Sequence, residues 1–526
     1  MNVVEHEIIK LKGIVLDIEP MELQGIQTWT RGANVVFDDD ATHRVGGYRQ
    51  FADPYPVGAK PIFLHPVLTP DTSYWIYISD DGVDCKCYVT DGTTHWDITP
   101  ATGLTTGGPG IWTGTTLNGI PVLNNGLDYP FWWNGETGTP CTTIPGWPVD
   151  QYAKSVRAYK YHLVALNLTR SGVRIPNMLA WSSAADPGTI PDSWDPLPGN
   201  DAGDALLSDD LGGLVDAETL RDNLMIYRQH STAYASYVAG QYVFVFRELF
   251  NTSGIQALNC ATEVRGKHYV ITDDDIIVHD GNQYTSIADN VIRSYVFAAI
   301  SPEQHHLCCA ETRTSKDEVW FCFPYTDSEN LSYAAVYSLE DDLFGLRELP
   351  EVTHVRTGII PEEDFDATWD GALSAWQQDP RFWNEQNYSE TNDGMMMADP
   401  VQSRLLNVDA SNDNDGEPIE AFVERTMWTV GGSREDLWTN VLTRSLWPYI
   451  TGTPGDVINV RIGGAMSASA PVRWSASQPY VIGSENVPKL DSFAFGRLLS
   501  IRFSSSGGDP WQIHRFGFDY VPQTKY

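Results

Sequence analysis

Basic residues are scarce in this chain: 34 Lys and Arg stand against 69 Asp and Glu, a formal net charge of -35. That balance argues against ordinary phosphate-neutralising nucleic-acid binding and against docking on an anionic membrane surface. No apolar run approaches the length of a membrane span, and Glu5, His6 and Glu7 interrupt the start of the chain, so no secretory leader is expected there. Long 3.6-residue periodicity is missing too, and the helix candidates are short, residues 218–223 among them. The seven cysteines (Cys85, Cys87, Cys141, Cys260, Cys308, Cys309 and Cys322) are odd in number and lie mostly in apolar runs, which points to reduced, buried thiols made in a cytosol. Cys85 with Cys87, and His306 with Cys308, share strand faces, but neither spacing matches paired zinc knuckles, so no metal and no cofactor are expected. Serine-nucleophile, zinc-protease and phosphate-loop motifs are missing as well, and no catalytic residue is assigned.

What the chain has in quantity is short strands and turns. The stretch VRGKHYVITDDDIIVHDGNQYTSI (residues 264–287) reads as three strands, 268–272, 276–279 and 284–287, separated by acidic and Asp-Gly turns. Asp280-Gly281 between two apolar runs is a hairpin signal of the type I′ kind. The same phrase of a turn beside an aromatic recurs as Asp91-Gly92 before Trp96, Asn134-Gly135 after Trp133, and Asp370-Gly371 before Trp376. Segments of three or four strands (62–98, 111–144, 156–181, 214–250, 258–287 and 308–349) follow one another at about 40 to 50 residues, the period of one sheet in a β-propeller. The fold expected is therefore all-β: a propeller over residues 33–380, with six to eight blades and seven favoured. Its last blade would be completed from both ends, by residues 352–376 and 35–51, leaving no free sheet edge.

The remaining segments are read by composition. Residues 1–32 form an N-terminal arm that could lie against a neighbouring subunit. Residues 381–418 read as an acidic linker or docking arm, in which Met395, Met396 and Met397 offer an adaptable partner contact. Residues 419–526 resume the β pattern as a smaller sandwich or barrel of roughly 110 residues. The insertion at 185–203, with Asp186, Pro187 and Gly188, is rich in Pro, Gly and Asp and suits a subunit contact or the channel. Acids cluster in turns, and the candidates to line a channel are Asp209, Asp210, Asp273, Asp274, Asp275, Glu340, Asp341 and Asp342. Singly these are solvated loop tips that blunt sheet edges. Gathered on one wall they repel DNA phosphates and let a duplex slide.

Several phrases carry a resemblance. Asn34-Val35-Val36-Phe37-Asp38 followed by Arg44-Val45-Gly46-Gly47-Tyr48 resembles the start of the tail hub or nozzle proteins of short-tailed bacteriophages, although Asp39-Asp40 stand where that pattern has Asp-Gly. Leu117-Asn118-Gly119, Asn124-Asn125-Gly126, the run from Arg157 to Asn167, Trp181-Ser182 before Asp186-Pro187-Gly188, Leu220-Arg221-Asp222 before Ile226-Tyr227, and Val264-Arg265-Gly266 before His279-Asp280-Gly281 are similar to that family and come in its order. The resemblance spans about residues 33–350 and continues more loosely to the end. It implies a structural protein of the virion tail, assembled in the host cytoplasm as a ring, expected to be a hexamer. Such a ring would attach to a connector or adaptor protein and to tail fibres or tailspikes, and phage double-stranded DNA would cross it without sequence-specific binding.

Two other classes have some support in the sequence. Arg174-Ile175-Pro176 resembles the Arg-Ile-Pro phrase of sialidases, but the spaced Asp-x-Gly turns of those enzymes are missing here because Asp and Gly are adjacent. A carbohydrate-binding tail protein is the alternative suggested by 18 tryptophans. Most of these adjoin strands or hairpin turns, where packing between blades is their commoner use.

Overall fold

The computed structural model describes residues 4–52, 54–69, 72–197, 199–207, 212–238, 243–326, 328–360, 393–430, 439–484 and 489–523. The protein is all-β, and among the described residues α-helix is confined to Arg293–Ala299. Seven antiparallel four-strand units follow in chain order. Sheets 1 to 5 begin with strands Pro61–Leu68, Thr113–Leu117, Gln151–Tyr159, Leu214–Leu220 and Ala261–Val264. Sheet 6 begins with Cys309–Arg313, and sheet 7 comprises His354–Ile359, Asp393–Asp399, Arg404–Ser411 and Gly47–Phe51. The first strand of each sheet packs against the first strand of the next, and that of sheet 7 packs against that of sheet 1.

Sheet 5 shows how sequence makes one unit. Its inner strands Lys267–Ile271 and Ile276–His279 coincide closely with the expected runs and bury Val270, Ile271, Ile276 and Ile277. The Asp-Gly turn differs from the expected type I′ geometry, since only Gly281 has positive φ (87°). Asp280 instead accepts hydrogen bonds from the backbone N–H groups of Asn282 (2.9 Å) and Gln283 (3.2 Å). Asp91 does the same for Thr93 and Thr94, both at 2.9 Å, at the equivalent turn of sheet 1. The repeated phrase is thus an aspartate-capped turn, a local alternative to backbone pairing that Asp favours.

The ends of the chain depart from expectation. Only Gly47–Phe51 of the early stretch completes sheet 7; Val35–Asp38 pairs at Val35 with Leu346 and extends sheet 6 instead. Gly46-Gly47 is required there by close approach: a Cβ on Gly47 would lie 1.8 Å from the Asp413 carbonyl oxygen, and one on Gly46 would lie 2.7 Å from Asp409 Oδ1. The reading of 381–418 as a linker is corrected, because Asp393–Asp399 and Arg404–Ser411 are strands of sheet 7 and Met395, Met396 and Met397 are fully buried. All three serve as core packing, where an unbranched thioether fills gaps between sheets, and none can be a partner contact. The Asp370-Gly371 phrase lies outside the described residues. Residues 218–223, read as a short helix, are the end of strand Leu214–Leu220 and a turn with Arg221 at φ 54°.

The C-terminal region is a two-sheet sandwich, and the N-terminal arm belongs to it. Glu5–Ile9 pairs with Gln512–Pro522, and Arg31–Ala33 pairs with Glu420–Trp428. Trp29 sits between the layers, 6.1 Å from the Phe503 ring and 6.2 Å from Phe516, its indole N–H donating to Thr42 Oγ1 at 2.9 Å. Strands Val35–Asp38 and Ala41–Arg44 join this sandwich to sheet 6 in one 11-stranded hydrogen-bonded sheet. The arm is therefore spent within its own chain.

Candidate functional site

Polar groups from the first strands of sheets 1 to 4, 6 and 7, with Asn259 ahead of sheet 5, meet in buried contacts between neighbouring sheets. Asp216, on the first strand of sheet 4, accepts from Arg157 Nε (2.8 Å) and Nη2 (2.5 Å), from Ser155 Oγ (2.7 Å) and from the backbone N–H of Asn259 (2.9 Å). Arg157 also donates to the Gly114 carbonyl at 3.0 Å and to Asn259 Oδ1 at 2.8 Å. On the sheet 6 to sheet 7 side, Arg356 donates to Glu311 at 3.0 Å, and Glu311 accepts the Thr357 N–H at 2.9 Å. His65 of sheet 1 contacts Thr116 of sheet 2 at 3.1 Å. Arg157, Asp216, His65, Glu311 and His354 are all buried. Burial alone would raise Asp216, yet Arg157 holds it below the usual carboxylate range. Burial raises Glu218 and Glu311 against the pull of the nearby arginines. Buried charge survives only when paired in this way.

Burial holds five histidines, His65, His162, His268, His279 and His354, below the ordinary histidine range. Burial, then the charges of Arg356 and Arg157, push His65 down to about 3. Burial takes His268 to about 4, and burial with the neighbouring His268 takes His279 to about 3. His268 Nε2 faces the Thr219 carbonyl at 3.0 Å and so carries the proton, leaving Nδ1 to accept from the Tyr227 hydroxyl at 2.7 Å. The Tyr227 oxygen in turn receives His279 Nε2–H at 2.7 Å. The unfolded chain takes up these protons below about pH 6.5 while the folded chain does not, so the stability they confer is complete above that pH and is lost as pH falls towards 3 to 4. Each contributes roughly 1.4 kcal/mol per pH unit. Calorimetry between about pH 6.5 and 4.5, above the range in which depressed carboxylates titrate, should show the melting temperature falling. A His268→Gln/His279→Gln protein with an unchanged slope would contradict this.

The acidic candidates fall into different settings. Asp209 and Asp210 lie outside the described residues. Asp273 and Asp274 are exposed and engage His230 (3.8 Å) and Arg293 (3.0 Å), whereas Asp275 is half-buried, caps Ile276 N–H at 2.8 Å, and is raised by burial. Glu340 is exposed beside Asp38 and Asp39, Asp341 is half-buried, and Asp342 accepts the Tyr337 hydroxyl at 2.7 Å. The first turn joins the second and third strands of sheet 5, the other the third and fourth strands of sheet 6, so they leave opposite ends of their sheets. The Arg265–Asp317 ion pair (2.5 Å) fixes the neighbouring sheets in the same orientation. The two turns therefore do not form one acidic rim. Asp186, Pro187 and Gly188 are exposed, but the insertion folds back: the Asp186 carbonyl accepts from Asn118 at 3.1 Å, and Trp194 packs edge-on against Trp147. All seven cysteines are buried free thiols.

Sequence reading passed over Arg157, Asp216, Glu311 and Arg356. The available signal was charge inside the strand that opens a repeat unit: Lys154 and Arg157 in Gln151–Tyr159, Asp216 and Glu218 in Leu214–Leu220, Glu311 and Arg313 in Cys309–Arg313, and Arg356 in His354–Ile359.

No family model and no curated protein matches the chain. Among solved structures it is similar to a puromycin-hydrolyzing peptidase of Mycobacterium tuberculosis, at 11% identity and a TM-score of 0.33, covering 72% of this chain and 61% of that one. It is also similar to AztD of Citrobacter koseri, at 10% identity and a TM-score of 0.30, covering 55% of this chain and 89% of that one. The chain thus spans about three-fifths of the peptidase's length. Likenesses this remote carry no argument about activity.

Proposed function

We propose that the seven sheets are the blades of a closed seven-bladed propeller, and that the protein is a structural component of a phage tail nozzle whose sister copies surround an acid-walled passage for DNA. The contact of sheet 7 with sheet 1, and completion of sheet 7 by Gly47–Phe51, support closure. The observation that carries the functional reading is the distribution of the few cations. Arg157, Arg228, Arg313 and Arg347 have side chains at most 8% exposed and are consumed in internal ion pairs. Among the described residues buried cations and buried acids nearly balance, so the excess of -35 is carried by the outer surface. A wall of that sign repels phosphates and limits adhesion during transit.

The centre of a single chain is filled by the Arg157–Asp216 and Arg356–Glu311 pairs, so the passage belongs between copies. That every described tryptophan is buried or half-buried speaks for packing and against a sugar platform. Images of the purified protein with its connector should show a ring of copies around a bore; solitary molecules would overturn the reading. Asp273→Lys/Asp274→Lys and Glu340→Lys/Asp342→Lys proteins should assemble normally. Whichever pair faces the bore should slow DNA release, more so at low salt. Unchanged release in both would remove the electrostatic part.

A further inference from the structure

One cleft, of about 380 Å³, has cations and no acid among its lining residues. It is bordered by Lys154 and Arg174 of sheet 3, by His305 and His306 from the loop ahead of sheet 6, and by apolar Leu127 and Leu258. Strand register brings the two cations together: Lys154 lies opposite Asn167, a bulge residue with φ 56°, and Asn167 Oδ1 accepts from Arg174 Nε at 3.2 Å. Bulges commonly re-aim side chains in this manner. Asn167 is itself anchored through its amide to the Leu214 carbonyl at 2.7 Å.

Among the described residues neither Lys154 nor Arg174 forms an ion pair, although acids outnumber cations 69 to 34 in the chain. The acids nearby are already taken. Asp216, whose charge reaches Lys154, is held by Arg157, Ser155 and Asn259. Asp128 accepts from Thr105 N–H and Oγ1, both at 2.7 Å, and from Asn125 at 2.9 Å. Burial first, and then the Arg174 charge, lower Lys154, so the two cations repel each other across an unneutralised gap. His305 and His306 turn Nδ1 to the carbonyls of Pro302 (2.6 Å) and Glu303 (3.0 Å), which leaves their Nε2 atoms unengaged.

We propose that this cleft binds a small organic anion, with one carboxylate or phosphate group held between Lys154 and Arg174 and an apolar body against Leu127 and Leu258. Apolar walls with a few convergent polar groups are the usual make-up of a small-molecule site, and charge-assisted hydrogen bonds supply the orientation.

Isothermal titration of the intact chain with benzoate, phenyl phosphate and benzyl alcohol tests this. At least one anion should bind about 10-fold or more tightly than the neutral alcohol, and the tighter of the two identifies the preferred head group. Lys154→Met and Arg174→Gln should each weaken it by about 10-fold, while Lys86→Met, at an exposed lysine paired with Asp84, should change nothing. Anions that bind wild-type protein no better than benzyl alcohol, or variants that bind like wild type, would overturn the proposal. The wild-type comparison needs no variant to fold, and the measurement needs no assembled ring, so its failure would leave the nozzle reading where it stands.

Discussion

Replacing Asp409 by alanine should destabilise the fold by about 3–5 kcal/mol, the usual effect of leaving buried charge uncompensated. Asp409 sits at the bulge of strand Arg404–Ser411 with φ 61°, accepts from Arg313 and from Lys316 at 3.2 Å, and forms an ion pair with Arg347 at 2.9 Å. Burial would raise its carboxyl, but the three cations hold it well below the usual range. Arg347 is 2% exposed and lies over the rings of Tyr48 and Trp320, at 4.7 and 4.8 Å. Its Nε donates to the Tyr48 hydroxyl at 2.7 Å, so the cluster fastens the N-terminal strand of sheet 7 to sheet 6. Loss of Asp409 strands Arg347 and Arg313 without an acid. Calorimetric melting should fall, and hydrogen exchange should quicken first in Gly47–Phe51 and Arg404–Ser411. Lys316→Ala, at a half-exposed partner, should stay within about 1 kcal/mol of wild type. An Asp409→Ala protein as stable as that control would contradict the assignment.

Asp216→Ala should have a comparable effect, about 3–5 kcal/mol, for the same reason where sheets 3, 4 and 5 meet. Besides the N–H of its chain neighbour Ala217, the acid receives four hydrogen bonds from outside its own strand, from Arg157 twice, from Ser155 and from Asn259. Those donors come from sheet 3 and from the residue ahead of sheet 5, so the loss should loosen three sheets together. Ser155→Ala, which removes one neutral donor, should be milder, about 1 kcal/mol. An Arg157→Met/Asp216→Leu protein should recover much of the loss, because a matched apolar pair leaves no orphaned charge. If that double replacement were as unstable as the sum of its parts, the pair would be contributing something other than mutual neutralisation.

The sequence by itself determined what is local. The strands of sheet 5, the spacing of the repeats and the acidic turns are decided by β-branched runs and by Asp and Gly conformational preferences over a few residues. It also determined the charge balance, which needs no geometry. Tertiary structure alone decided which of two early strands completes sheet 7: Val35–Asp38 has the stronger β composition, yet Gly47–Phe51 takes the place because Gly46-Gly47 lets the chain press against Asp409 and Asp413. It decided as well that Met395, Met396 and Met397 are core, since composition around them is acidic and their burial comes from pairing with His354–Ile359 and Arg404–Ser411 and from clusters with residues distant in the chain, Tyr48 and Trp320 for Met395 and Met397, Phe51 and Trp75 for Met396. The pairing of Arg157 with Asp216 and the unpaired meeting of Lys154 with Arg174 are of the same kind. A lone charge in a strand shows that something must neutralise it, but which group does so depends on register and on neighbouring sheets, information carried by long-range packing and not by any one stretch of residues.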